Sequence, residues 1–158
     1  MSSLVNRIAP LLRPVIALNL WTFTMEVWMY ATRIPAMNRL GIKPSPTITA
    51  AKMNAVLPPD VIWKADNYNN LMQQPQQFYG VMGVLVAMEL AGMGVGAGSG
   101  GIAGDGVTVN LAWAYVGLRV VHGLVHASVN NVRVRFTLFA ASSMVLLGMT
   151  FRAAFVVF

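Results

Sequence analysis

The sequence contains no cysteine and only five acidic residues, and just 10% of its 158 residues carry charge. Without cysteine there are no disulfides and no thiolate nucleophile, so any sulfur chemistry needs a thiol brought by another molecule. The scarcity of charge excludes more. A soluble domain carries roughly a quarter charged residues, and a chain this poor in charge cannot cover a water-exposed surface. Disorder is excluded too, because it demands low hydrophobicity and high charge. What is abundant is apolar: 56% of residues are hydrophobic and mean hydropathy is +0.61, over the length of one modest domain. These features describe an integral membrane protein. The net charge of +6 and pI near 10.3 then read as Lys and Arg gathered in cytoplasmic loops, and no nucleic-acid partner is expected.

A helix needs about 20 mostly apolar residues to cross about 30 Å of hydrocarbon. Four stretches meet that requirement, at about 14–33, 77–96, 107–127 and 136–158. Barrel strands would alternate apolar and polar residues over about ten positions, and these runs do not. The expected fold is therefore a single all-α domain over residues 1–158, a bundle of four transmembrane helices with a cytoplasmic loop at 34–76 and a Gly-rich external loop at 92–106. Residues 1–13 read as a short interfacial lead-in with Pro10 and Pro14 as breakers, and the N-terminus lacks the features of a cleavable signal peptide. Orientation follows from counting cations near the span ends. Seven (Arg33, Arg39, Lys43, Lys52, Lys64, Arg133, Arg135) lie on the side of the first and third loops, against three (Arg7, Arg13, Arg152) on the other. That places both termini outside.

The Gly-rich loop contains a GxGxxG match at 96–101. A dinucleotide fingerprint needs a preceding strand and an acidic residue about 20 positions later. Here a membrane span precedes and no acid follows Asp105, so the loop reads as a flexible connector. Gly92 and Gly96 also form a GxxxG spacing, which lets helices approach closely.

Ionisable residues inside a span turn toward the bundle interior and often mark function. Tyr115, Arg119, His122, His126 and Asn130 follow spacings of four, three, four and four, which put them on one helical face. His122 and His126 stand one turn apart, but a stable metal site needs a third or fourth ligand. The sequence has no other histidine and no cysteine, so no metal is expected. Two readings stay open: the stripe satisfies itself across a helix interface, or Arg119 and the imidazoles receive a polar or anionic ligand. Glu26 and Glu89 are the two acids inside spans, and either can partner a buried arginine. Before the second span, Asn67, Asn70 and Gln73 are spaced by three and three, as a hydrated helix start or as amides that hold a peptide-like ligand.

The motif RVVHGLVH at 119–126, followed nine residues later by Arg135 in VRVRFTLF, is similar to the Arg-x-Val-His-x-x-x-Tyr segment of the MAPEG family (membrane-associated proteins in eicosanoid and glutathione metabolism), best seen in its prostaglandin E synthase branch. Asn70-Leu-Met-Gln73 resembles the Asn-x-x-Glu motif that opens the second helix of that family. Arg33, at the end of the first span, resembles the arginine that faces the glutathione site. Three positions depart from the pattern: Gln73 replaces a glutamate, His126 replaces a tyrosine, and Asp66, Asn67, Tyr68 and Asn69 stand where the enzymes carry arginines.

The resemblance, strongest to the bacterial branch, implies a homotrimer in the bacterial inner membrane with periplasmic termini. It implies glutathione as cofactor and no metal. Arg135 is then the catalytic, thiolate-stabilising residue, while Arg33, Asn70, Gln73, Arg119, His122 and His126 bind the cofactor. The implied function is transfer of glutathione or a similar thiol to a lipophilic small molecule delivered by the lipid bilayer, or reduction of a lipid peroxide. The departures point to the alternative, a non-catalytic structural or accessory subunit of a larger membrane complex.

Overall fold

The computed structural model describes residues 2–43, 45–92 and 105–158; the GxGxxG match and Gly96 of the GxxxG pair lie outside them. The described residues form helices and turns with no strand. The helices are α1 (Ser2–Arg39), α2 (Ala50–Asn54), α3 (Pro59–Gln73), α4 (Pro75–Leu90), α5 (Gly106–Ser128) and α6 (Val132–Val157).

Pro10 and Pro14 do not break the chain. α1 runs through both, and through Pro35, as one 38-residue helix, about 57 Å long at 1.5 Å per residue. The expected lead-in at 1–13 is thereby corrected, because its residues belong to this helix. Leu11, Pro14, Leu18, Met25 and Met29 form one buried stripe along α1. Burying each large side chain contributes about 1.5–3 kcal/mol, which summed over Leu11, Leu18, Met25 and Met29 offsets the roughly 3 kcal/mol that each of Pro10 and Pro14 costs. The opposite face, with Ile16, Leu20, Phe23 and Val27, stays exposed and apolar, as do Phe136, Met144, Phe151 and Phe155 on α6. α1 and α6 are the two described helices long and apolar enough to cross a membrane by length and composition. α4 has 16 residues, fewer than the usual span, and α5 carries Arg119 and both histidines.

The region 34–76, expected as a loop, contains the end of α1, all of α2 and all of α3. Pro75 separates α3 from α4: without an N–H it cannot extend α3, but it suits the first turn of α4. α5 and α6 pack closely and are joined by three residues. Asn130 takes the left-handed conformation there (φ 52°), which Asn tolerates better than other side chains. Asn131 then caps α6 by accepting from the amides of Arg133 and Val134. Asn130 thus lies beyond the last turn of α5, and the expected stripe of five residues on one helix face is corrected to four.

The main core joins Leu11 and Leu18 of α1, Phe78, Met82 and Leu85 of α4, Tyr115 and Val116 of α5, and Leu146 and Met149 of α6. Phe78 and Tyr115 stack with centroids 4.5 Å apart. Nearer the other end, Gly123 lets α5 close onto α1 and α3. A Cβ built there would lie 3.1 Å from Trp21 Nε1 and 3.3 Å from Asn67 Nδ2. Gly123→Leu is therefore expected to cost about 1–3 kcal/mol through overpacking, whereas Gly117→Ala, with no atom near its added Cβ, is expected to gain up to about 1 kcal/mol of helix propensity. Thermal unfolding of the two variants in detergent checks the contrast.

Two ion pairs tie helix ends together. Arg7 Nε donates to Glu89 Oε1 at 2.8 Å, and Arg7 Nη2 to the Glu89 carbonyl at 3.2 Å. Asp105 caps α5 by accepting from the Thr108 amide and also pairs with Arg152 of α6. Partial burial alone would push the Asp105 carboxyl up, but Thr108 and the Arg152 guanidinium outweigh it and hold the carboxyl below its usual range. With its folded value below the unfolded one, Asp105 contributes stability above the unfolded value and loses it as pH falls through the folded one. The melting temperature is expected to fall on acidification below about pH 4, and Asp105→Asn to flatten that decline; melting curves across pH check it.

Candidate functional site

α5 turns Tyr115, Arg119, His122 and His126 into the bundle, all buried and Arg119 completely so. Arg119 Nη2 donates to Asn70 Oδ1 at 2.6 Å and to the Asn70 carbonyl at 3.3 Å. That carbonyl belongs to the last turn of α3, where a cation is electrostatically favoured. Of the two acids expected as alternative partners of an arginine, Glu89 pairs with Arg7, and Arg119 is held by an amide rather than by either carboxylate. The Arg119 guanidinium also lies 5.9 Å from the centroid of Phe139, and the His122 and His126 rings meet edge-on at 5.7 Å.

From α6, Arg135 comes to the same place and donates through Nη1 to Asn130 Oδ1. Asn70, His122, Arg135, Val132, Phe136 and Phe139 line a cavity of about 230 Å³. Nε of Arg135 and Nδ1 of His122 in its lining, and the buried Nε and Nη1 of Arg119 and Nδ1 of His126 next to those residues, have no hydrogen-bond partner. A guanidinium has only donors, and a buried cation is costly unless something neutralises it. Among the described residues no carboxylate hydrogen-bonds or pairs with any of these groups. The three ion pairs are Arg7–Glu89, Lys64–Asp60 and Arg152–Asp105. The cluster is thus a donor-rich, cationic recess, suited to an anion with several acceptor atoms.

The structure brings Asn70, His122 and Arg135 around one cavity, packs the buried Arg119 against Asn70 and Phe139 of its lining and sets His126 beside His122. It does not bring Gln73 or Arg33 there. Gln73 is exposed, and Arg33 Nη2 reaches Met53 Sδ at 3.1 Å and Asn54 Oδ1 at 3.4 Å in α2. The reason for Gln73 is helical phase. Each three-residue step falls about 60° short of a full turn, so two steps from Asn67 carry Gln73 off the buried face. Gln74, seven residues from Asn67, nearly completes two turns and points inward. It accepts from Tyr115 Oη at 3.1 Å and donates to Ser143 Oγ at 3.1 Å. Sequence reasoning passed over Gln74; its seven-residue spacing from the buried Asn67 was the signal. Ser143 also lines an apolar groove of about 800 Å³ between α4 and α6, with Val81, Val84, Leu146 and Leu147 along its walls. No group of three or more His, Cys, Asp or Glu that could hold a metal ion occurs among the described residues.

Comparison with curated proteins and with solved structures returned no match. A family model does match, over residues 11–155 and so nearly the whole chain, including every residue lining the cationic recess. The arginine–histidine face of α5 and the arginine in the first turn of α6 both lie within the matched region, and with nearly its whole length matched the chain belongs to the MAPEG family.

Proposed function

We propose that the chain crosses the bacterial inner membrane four times, with both termini periplasmic, assembles as a homotrimer, and binds glutathione or a similar thiol in the cationic recess. The observation that carries this reading is the set of unpartnered guanidinium donors of Arg119 and Arg135, with the unpartnered imidazole nitrogens of the two histidines, at and beside a cavity without a neutralising carboxylate. Family membership supports it, since the family includes glutathione transferases and peroxidases. Asn70, Arg119 and His122 hold the ligand's acceptor groups, and Arg135 stands by the sulfur. A neighbouring cation lowers a thiol pKa from about 8.5 and so raises the thiolate fraction, and a guanidinium stays charged at any relevant pH. Bound there, the thiol supplies the nucleophile for a lipophilic electrophile or the electrons for a lipid peroxide. The apolar groove between α4 and α6 is open to such a molecule from the bilayer.

The test is thermal unfolding in mild detergent with and without glutathione. Binding to the folded form alone stabilises it by about 2.7 kcal/mol at 100-fold over the dissociation constant, and a clear rise in melting temperature is expected. No rise at saturating glutathione overturns the glutathione assignment. Arg33, engaged by Met53 and Asn54 in α2, favours a second reading, that of a non-catalytic subunit of a larger membrane complex. That reading expects stoichiometric co-purification with partner proteins, while the first expects a self-contained trimer.

A further inference from the structure

As a candidate span, α1 covers 35 residues from Val5 to Arg39, about 52 Å at 1.5 Å per residue. Hydrocarbon and headgroup layers together measure about 40–45 Å, so the last turns of α1 reach headgroup depth. Trp28 and Tyr30 come just before those turns, and aromatic residues of these types gather at that boundary.

The last turns of α1 and the start of α3 enclose a cavity of about 500 Å³. Pro35, Ala36, Leu40 and Val61 give it apolar walls, while Arg39 of α1 and Asp60 of α3 bring one charge of each sign to its lining. Lys64 Nζ lies 3.7 Å from Asp60 Oδ2, yet the Asp60 side chain is 63% exposed, so this pairing leaves the carboxylate open. Lys64 itself is turned inward. Its ammonium donates to the Asp60 carbonyl at 2.7 Å and sits 5.7 Å from the centroid of the Trp28 ring. The cation offered to an incoming group is therefore Arg39, which is exposed, and the anion beside it is Asp60. A guanidinium matches a phosphate through paired N–H donors, and a carboxylate matches an ammonium. Acyl chains have a path as well: exposed Val27 lies one turn before Ala31 of the cavity lining, on the lipid-facing side of α1.

We infer that this cavity binds a phospholipid whose headgroup carries a phosphate and a primary ammonium, of the phosphatidylethanolamine type, with Arg39 holding the phosphate and Asp60 the ammonium.

The test gives the full chain, delipidated in detergent micelles, equimolar dioleoyl phosphatidylethanolamine and dioleoyl phosphatidylglycerol, and reads retained lipid by native mass spectrometry. Phosphatidylglycerol has the same phosphate but hydroxyls in place of the ammonium. The ethanolamine lipid is expected to be retained about threefold over the glycerol lipid, the scale of an exposed ion pair. Arg39→Ala is expected to lower retention of both lipids by about three- to tenfold. Asp60→Asn is expected to bring the ethanolamine lipid down to the level of the other. Arg13→Ala, which removes another exposed cation of α1, is expected to change neither. Asp60→Asn also takes a partner from Lys64; if that variant does not fold, the wild-type ratio and Arg39→Ala decide alone. Equal or preferential retention of phosphatidylglycerol overturns the inference, as does unchanged retention in Arg39→Ala or an equal loss in Arg13→Ala. Retention of neither lipid, the result if another copy of the chain covers this face, overturns it too. Each of these outcomes is independent of glutathione binding, so the thiol reading stands or falls separately.

Discussion

Arg135→Ala is expected to return the pKa of a bound thiol toward its free value of about 8.5 and to weaken thiol binding by about 10- to 100-fold, since hydrogen bonds to charged groups contribute about 1.5–3 kcal/mol. Ultraviolet absorbance of the thiolate, followed against pH, reads the first effect, and calorimetry the second. Arg135→Lys keeps the charge but loses the planar fork that reaches Asn130 and the cavity together, so it is expected to restore only part of the thiolate signal. Asn130→Gly separates position from charge. Glycine accepts the left-handed backbone of the α5–α6 turn without strain but removes the amide that holds the guanidinium. Thiol affinity is expected to fall by less than in Arg135→Ala while the fold is kept. Identical thiol titration curves in wild type and Arg135→Ala would remove Arg135 from the thiolate role.

The second large effect lies at the far end of the bundle. Arg7→Ala strands the Glu89 carboxylate, which is 6% exposed and has one oxygen already without a partner. Breaking a buried pair by removing one member costs about 3–5 kcal/mol; with Arg7 itself 48% exposed, about 2 kcal/mol is expected here. Adding Glu89→Gln removes the stranded charge and is expected to recover most of that loss. The double-mutant cycle, measured by chemical or thermal unfolding in detergent, reads the coupling directly. Equal stability of Arg7→Ala and wild type would show that the contact is not maintained in solution.

Much of this protein was legible without coordinates. Low charge and long apolar runs without strand-like alternation lead to an all-helical membrane protein, because composition sets which solvent a surface tolerates. Short-range spacing placed Tyr115, Arg119, His122 and His126 on one face of one helix, because a helix repeats every 3.6 residues whatever surrounds it. The RVVHGLVH motif and the arginine beyond it were enough to suggest the family. Three-residue spacing grouped Gln73 with Asn67 and Asn70 and left a hydrated helix start and a ligand-holding face both open; the structure exposes Gln73 and turns Gln74 inward instead. Proline was read by its local penalty at Pro10 and Pro14, and a local rule has no access to the core burial that outweighs it along α1.

Pairing between distant residues was decided only by the tertiary structure. Two of the five acids are held by cations 47 and 82 positions away, and nothing in the sequence distinguishes Glu89 as the partner of Arg7 from Glu89 as the partner of Arg119. The same holds for Arg33, which turns to α2, and for Asn70, which takes the place expected of a carboxylate beside Arg119. The physical reason is common to all of them. Periodicity fixes which face of its own helix a side chain occupies, but partners across the bundle depend on how the helices are shifted and rotated against one another. That arrangement is set by the packing of the whole core, from Gly123 against Trp21 to Phe78 on Tyr115.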